Sequence, residues 1–327
     1  MSHREEGLRG DAIRPTGRAR DPHLLTGARA LFSMLAFSPR ASAAVAQRLF
    51  LRPRRFERPG WETEALESAT PFTFPVEDGT ELRAWSWGEG ETVALVHGWE
   101  GRGSQLAAMA EPLVERGYRV VTFDAPGHGD SPGEETSAVR FAEALVGLDR
   151  WMGGLHGVVA HSFGALATGF ALPRGLDPAR LVFLSPGISP RAATSHMARL
   201  LGFGPGVLKE LRSRIEEVGG IALDEIEEAR IFSELDRPLL IVHDRGDPEV
   251  PLDDVEALAV ETDARVLWTE GLGHRGVLRD PEVAARVAAF VDADRPPFAD
   301  GWHRFVYGEL SMLSLDFFGD ESRWPVG

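Results

Sequence analysis

Residues 157–166 read G-V-V-A-H-S-F-G-A-L. A short apolar run closes on His161 and Ser162, and Gly164 follows two positions later. An apolar run of this length fits a strand buried on both faces, as in a parallel sheet. The small residues after it read as the start of a helix. A serine at such a junction has two readings: it caps the helix, or it is a nucleophile held on a tight, strained turn. The second reading needs small residues two before and two after the serine, because the turn brings those positions together. Here they are Ala160 and Gly164. The usual form of this turn is G-x-S-x-G, and the sequence A-H-S-F-G departs from it by one methyl group, at Ala160.

Working outward, the same rhythm recurs. Residues 72–88 (FTFPVEDGTELRAWSWG) read as two strands joined by an Asp78-Gly79 turn. TVALVHG (92–98), YRVVTFD (118–124), LHGVVAH (155–161), RLVFLSP (180–186), PLLIVHD (238–244) and ARVLWTE (264–270) read as strands. Helical segments fall at about 103–116, 137–152, from Ser162, 252–261 and 280–291. Alternating strands and helices predict an α/β chain with three layers: a mostly parallel eight-stranded sheet covered by helices on both faces.

Three segments stand outside that series. Residues 1–70 form an N-terminal extension, with a polar, disordered start to about residue 22 and two short amphipathic helices over 24–50, broken at Pro39. Arg48, Arg52, Arg54 and Arg55 follow; packing on the protein's own body is expected of this segment rather than a membrane surface. Residues 187–236 interrupt the α/β body (71–292) with helical patterns and suggest a small lid. Residues 293–327 carry Trp302, Phe305, Tyr307, Phe317 and Phe318, too aromatic for a solvated tail, and are expected to pack on the body or on a partner subunit in a monomer or homodimer.

The composition excludes several chemistries. Acidic residues outnumber basic ones 50 to 35, for a formal charge of -15, which argues against nucleic acid as a partner. There is no cysteine, so disulfides, thiolate metal sites and a cysteine nucleophile are ruled out. The charged N-terminus is unlike a secretory signal, no apolar run approaches the ~20 residues of a bilayer span, and a cytoplasmic location is expected.

A serine hydroxyl needs a base. His274, in GLGHRGVLRDPEV after the last strand, is the candidate, flanked by Gly271, Gly273 and Gly276. A base needs a carboxylate to fix its tautomer. HDRGDPEVP offers Asp244, Asp247 and Glu249; Asp247 is favoured, since Asp244 sits at the strand end and Glu249 at the loop exit. The chain order is then Ser, Asp, His. Main-chain N–H groups of Phe163 and of Trp99, the latter following Gly98, are the candidate donors to an oxyanion. His97 is read as structural. Asp124 and His128 lack the further ligands of a metal site.

Together VALVHGW, VVTFDAPGHGDSPG, VVAHSFGA, LLIVHDRGDPEVP and GLGHRGVLRDPE resemble the α/β-hydrolase superfamily, over about residues 72–291. That resemblance implies an eight-stranded sheet, a Ser-His-acid triad and no cofactor or metal. It maps the nucleophile onto Ser162, the acid onto Asp247, the base onto His274, and the oxyanion donors onto Trp99 and Phe163. The expected activity is hydrolysis of a small-molecule carboxylic ester through an acyl-enzyme. Thioesterase, C–C hydrolase and acyltransferase chemistry on the same three groups remain alternatives, as does a non-catalytic binding protein. Met197, Leu200, Leu201, Phe203, Val207 and Leu208 in the insertion are offered as an apolar substrate pocket, or as lid residues that only pack.

Overall fold

Strands β1 (Thr70–Pro75), β2 (Glu81–Trp87), β3 (Thr92–Val96), β4 (Arg119–Phe123), β5 (Gly157–His161), β6 (Arg180–Leu184), β7 (Leu239–Asp244) and β8 (Arg265–Thr269) form one sheet in the computed structural model. It describes residues 22–34, 37–187, 189–227, 230–232 and 235–293. The expectations for the first 21 residues and for the aromatic tail from residue 294 lie outside the described residues. The chain divides into two units, Met1–Val291 and Asp292–Gly327, and every element named below lies in the first.

The sheet order is β1-β2-β4-β3-β5-β6-β7-β8, and β2 alone runs antiparallel to its neighbours. The hairpin between β1 and β2 turns at Asp78-Gly79, where Gly79 adopts φ 81° and Asp78 accepts the Thr80 N–H. From β3 the chain moves outward to β4, then returns past β3 to β5 and onward. The two connections leave in opposite directions, so a crevice opens between the carboxyl ends of β3 and β5.

The helices are α1 (Pro22–Met34), α2 (Pro39–Leu51), α3 (Gly60–Glu67), α4 (Ala110–Val114), α5 (Ala138–Met152), α6 (Phe163–Ala171), α7 (Pro190–Leu201), α8 (Pro205–Gly219), α9 (Leu223–Glu227), α10 (Leu252–Thr262), α11 (Gly273–Gly276) and α12 (Pro281–Val291). Alternate strand residues feed two cores. Ala94, Val96, Leu181, Phe183 and Ile241 pack with Phe141 of α5, Ala165 of α6 and Val255 of α10. Val93, Leu95, Val182, Leu184, Leu240 and Val242 pack with Leu113 of α4 and Val287 and Phe290 of α12. Both faces of the strands are therefore buried, which is why they read as unbroken apolar runs. The segment expected as one helix over 103–116 is instead a 3-10 turn, Gly103–Met109, followed by α4. Gly103 lies hard against β4, where an added Cβ would meet Thr122 Oγ1 at 2.6 Å, and its N–H is tied to Asp124.

A third apolar cluster lies away from the sheet. Phe32 of α1 and Ala43 and Ala46 of α2 pack against Ala198, Leu201, Phe203, Val207 and Leu211 of the insertion. Pro39 opens α2 rather than breaking a helix, with Ser38 capping it. After α2 the chain descends along the body through a series of arginines. Arg48 pairs with Glu135, Arg52 with Glu134 and Arg54 with Glu100. Arg55 donates to the carbonyls of Gly127, Gly129, Ser131 and Gly133, and Arg58 pairs with Asp130. These cations are spent on the protein's own oxygens. No helix among the described residues is long and apolar enough to cross a membrane.

The extension ends in a buried ion pair. Glu62 of α3, 2% exposed, accepts from Arg102 Nε at 2.5 Å, Arg102 Nη2 at 2.8 Å and Ser104 Oγ at 2.6 Å. Removing one partner strands a buried charge. Glu62→Ala is expected to cost about 3–5 kcal/mol in denaturant unfolding, and pairing Glu62→Leu with Arg102→Met to recover most of that loss.

Candidate active site

Ser162 stands between β5 and α6 with φ 52° and ψ -119°, a backbone conformation that an L-residue adopts only under constraint, at about 1–3 kcal/mol. The constraint is a close approach of two backbones. A Cβ at Gly164 would meet the Val96 carbonyl at 2.9 Å and the His97 carbonyl at 2.8 Å. A Cβ at Gly98 would meet Ser162 Cβ at 3.0 Å. The methyl of Ala160, where the usual motif has glycine, is fully buried in the core on the α5 and α6 face. Gly187, after β6, is a site residue that the sequence reading missed: a side chain there would come within 3.1 Å of Ser162 Oγ, so its absence keeps the hydroxyl open.

The loops after β7 and β8 bring two further side chains to this serine. His274, in α11, has Nε2 3.0 Å from Ser162 Oγ, and Nδ1 2.8 Å from Asp247 Oδ2. A carboxylate only accepts, so Nδ1 carries the proton and Nε2 presents its lone pair to the hydroxyl. Asp247 in turn accepts the main-chain N–H groups of Glu249 and Val250, and its carboxylate is buried. Burial raises the Asp247 pKa, but the His274 contact and the two N–H donors outweigh it and lower the group to about 2.

The three carboxylates of the β7 loop do different things. Asp244 accepts from Gly246 N, Thr269 Oγ1 and Leu272 N, so it ties the β7 turn to the loop that carries His274. Glu249 lies 3.8 Å from His274 Nε2, on the serine side of the ring, and pairs with Arg275. Asp247 alone of the three faces Nδ1.

Buried histidines frame the site. His161, the residue before the serine, has Nε2 3.0 Å from the His274 carbonyl, so it donates there and holds the loop. Burial, with His274 beside it, lowers its pKa to about 3 and keeps it neutral. Nothing in the sequence distinguished it from a packing residue. His97 accepts the Ala125 N–H at Nε2 and donates from Nδ1 to the Gly98 carbonyl, as a structural histidine should. His128 donates from Nδ1 to the Pro126 carbonyl and accepts the Glu100 N–H. Asp124 accepts from Gly103 and Asp130 main-chain N–H groups. These two therefore have protein partners, which accounts for them without a metal.

Trp99 and Phe163 flank the serine on the loop after β3 and the first turn of α6. The Phe163 N–H, at the helix start, has no intrahelical acceptor. Their rings meet edge to face at 5.2 Å. For the six insertion residues the sequence allows a pocket lining or lid residues that only pack, and five of them sit in a packed cluster. Leu201, Phe203 and Val207 are buried against Phe32, Ala43 and Ala46, Met197 and Leu208 pack against the same cluster, and Leu200 is half-buried with its carbonyl bonded to Arg29. Five of the six thus pack in a cluster with α1 and α2, a pairing that nothing in the sequence signals.

The sheet order, the strained serine after β5 and the histidine after β8 together describe an α/β fold with three polar side chains gathered at the carboxyl ends of its strands. A model of the alpha/beta hydrolase family matches residues 93–288, well over half of the chain, and the chain belongs to that family of hydrolases. An esterase of Pyrococcus furiosus is similar in fold, with TM-score 0.57 and 20% identity, over 74% of this chain and 97% of that one. An esterase of Exiguobacterium antarcticum follows at TM-score 0.54 and 15% identity, over 68% and 100%. Identities this low speak for the fold alone. A non-heme chloroperoxidase of Kitasatospora aureofaciens is 37% identical over 54 residues, 16% of this chain and 20% of that protein. The chain thus spans about a fifth of the length of the curated relatives it matches.

The lowered pKa of Asp247 has a direction in stability. A carboxyl held at about 2 in the fold, against an ordinary 3.8, stabilises fully above the ordinary value and loses that contribution as pH falls from about 4 toward 2. The stability gap between wild type and Asp247→Asn is expected to be flat from pH 7 to 5 and to narrow below pH 4 in denaturant titrations. A gap unchanged at pH 3 would contradict the assigned environment.

Proposed function

We propose that the protein is a serine hydrolase that cleaves carboxylic esters, with Ser162 as nucleophile, His274 as general base and acid, and Asp247 as the group that orients the imidazole. The observation that carries this reading is the unbroken row from Ser162 Oγ to His274 Nε2 at 3.0 Å and from His274 Nδ1 to Asp247 Oδ2 at 2.8 Å. His274 takes the hydroxyl proton as Oγ attacks the ester carbonyl. The Asp247 carboxylate stabilises the imidazolium that forms. The tetrahedral oxyanion is met by the main-chain N–H groups of Trp99 and Phe163; one such donor is worth roughly 10²–10³ in turnover. His274 then protonates the departing alcohol, and a water deprotonated by the same ring releases the acid.

Esterases among the structural neighbours support the ester reading, beside a thioesterase domain of the same fold, and the missing side chain at Gly187 leaves room beside Ser162 Oγ for a substituent at the carbonyl. No resident cofactor or metal enters this chemistry. Thioesters, C–C bonds and acyl transfer would use the same groups, so the substrate panel must include them.

Ser162→Ala is expected to abolish labelling by a fluorophosphonate probe and to lower turnover of p-nitrophenyl esters by at least about a thousandfold. Wild-type protein that neither labels nor cleaves any member of an ester, thioester and amide panel would favour a binding protein built on a hydrolase fold.

A further inference from the structure

The N-terminal extension meets the loop after β3 at the residue proposed as an oxyanion donor. Phe50, at the end of α2, stacks on Trp99 with ring centroids 6.3 Å apart and planes inclined by 24°. Four residues on, Arg54 grips Glu100 with a fork: Nε to Oε1 at 2.8 Å and Nη2 to Oε2 at 2.6 Å. The Arg54 main-chain N–H also donates to Oε1, at 3.3 Å, so the backbone of the strap is part of the grip.

The gripped residue is itself under constraint. Glu100 sits at φ 55°, a conformation disfavoured for a residue with a Cβ. Its N–H is fixed by His128 Nε2, and the Gly101 N–H closes the turn on the Gly98 carbonyl. The Trp99 ring is held on its other sides by the edge contacts of His128 at 5.5 Å and Phe163 at 5.2 Å. Next along the strap, Arg55 donates to four carbonyls of the neighbouring rim loop, residues 127–133. That loop supplies His128. The strap thus fastens both loops that define where the Trp99 N–H points.

An exposed ion pair on its own contributes little. This one differs in being a two-point fork, and it acts on a turn that the backbone does not favour. Residues 50–55 also lie outside the segment that matches the hydrolase family, so the fold of residues 93–288 does not itself require them.

We propose that Phe50 and Arg54 are positioning residues, which set the oxyanion loop from outside the hydrolase body. The proposal rests on the serine-hydrolase reading for its effect on rate, but not for its effect on the loop. An oxyanion donor acts on the transition state, so misplacing it lowers kcat and leaves KM alone.

The test uses the full chain with Phe50→Ala, Arg54→Gln and Arg54→Lys, and with Arg48→Gln as a control that breaks an exposed pair made from α2. Phe50→Ala and Arg54→Gln are expected to lower kcat on a p-nitrophenyl ester about tenfold, a fraction of the loss of a whole donor, with KM within about twofold. Amide hydrogen exchange across residues 98–102 is expected to quicken in the same variants, and Arg54→Lys to recover part of the rate. Should Arg54→Gln fail to fold, Glu100→Gln cuts the same fork from the other side. Unchanged kcat with unchanged exchange, or changes no larger than those of Arg48→Gln, would overturn the proposal. Wild-type protein that does not label with fluorophosphonate would sink the proposed activity instead, and the exchange measurement would still decide whether the strap sets the loop.

Discussion

The site depends on two stretches of backbone pressed together where β3 and β5 end. Gly98 and Gly164 are the contact points, and at each an added methyl group would run into main-chain or Cβ atoms at about 3 Å. That proximity forces Ser162 into its positive φ and turns its hydroxyl outward. It also puts the first N–H of α6 and the loop after β3 on the same side of the serine. Two cores, one on each face of the sheet, hold the strands rigid enough to sustain the strain. The strain and the proposed chemistry therefore have one origin, in the crevice opened by the change of direction at β3.

The extension shows how an acidic protein uses its cations. With a formal charge of -15, the chain nevertheless concentrates arginines over residues 48–58, and Arg48, Arg52, Arg54 and Arg58 find carboxylates on the body while Arg55 finds carbonyls. The same extension carries α1 and α2, whose other face receives the helices inserted between β6 and β7. One segment therefore touches both the insertion and the rim of the site. The basic run is thus tied to the body at several points along its length.

Much of this was legible in the residues and some was not. TVALVHG and PLLIVHD declared themselves because burial on both faces confines polar residues to the strand ends. Ser162, His274 and Asp247 stood out because small residues and loops at strand ends are chemically conspicuous. The division of labour among Asp244, Asp247 and Glu249 was only partly readable, since it turns on which oxygen meets Nδ1 across a loop. The six apolar residues of the insertion left pocket and packing both open, because apolar character says that a side chain will be covered but not by what. Arg48 and Glu135 are 87 positions apart and carry no periodic signal, so packing of the strap on the body could be expected but its partners could not be named. His161 was hidden inside the motif it supports.

The last strand has a consequence of its own. Every residue of β3, β5, β6 and β7 is buried, whereas β8, at the sheet edge, has none fully covered. The imidazole is delivered by the loop just beyond this thin border, through the ties that Asp244 makes to Thr269 and Leu272. A nascent chain completes its central strands before His274 has been made. Fraying of that border would carry His274 away from Ser162 while the buried interior stays intact, so under the serine-hydrolase reading proposed above heat would remove activity before it melted the cores.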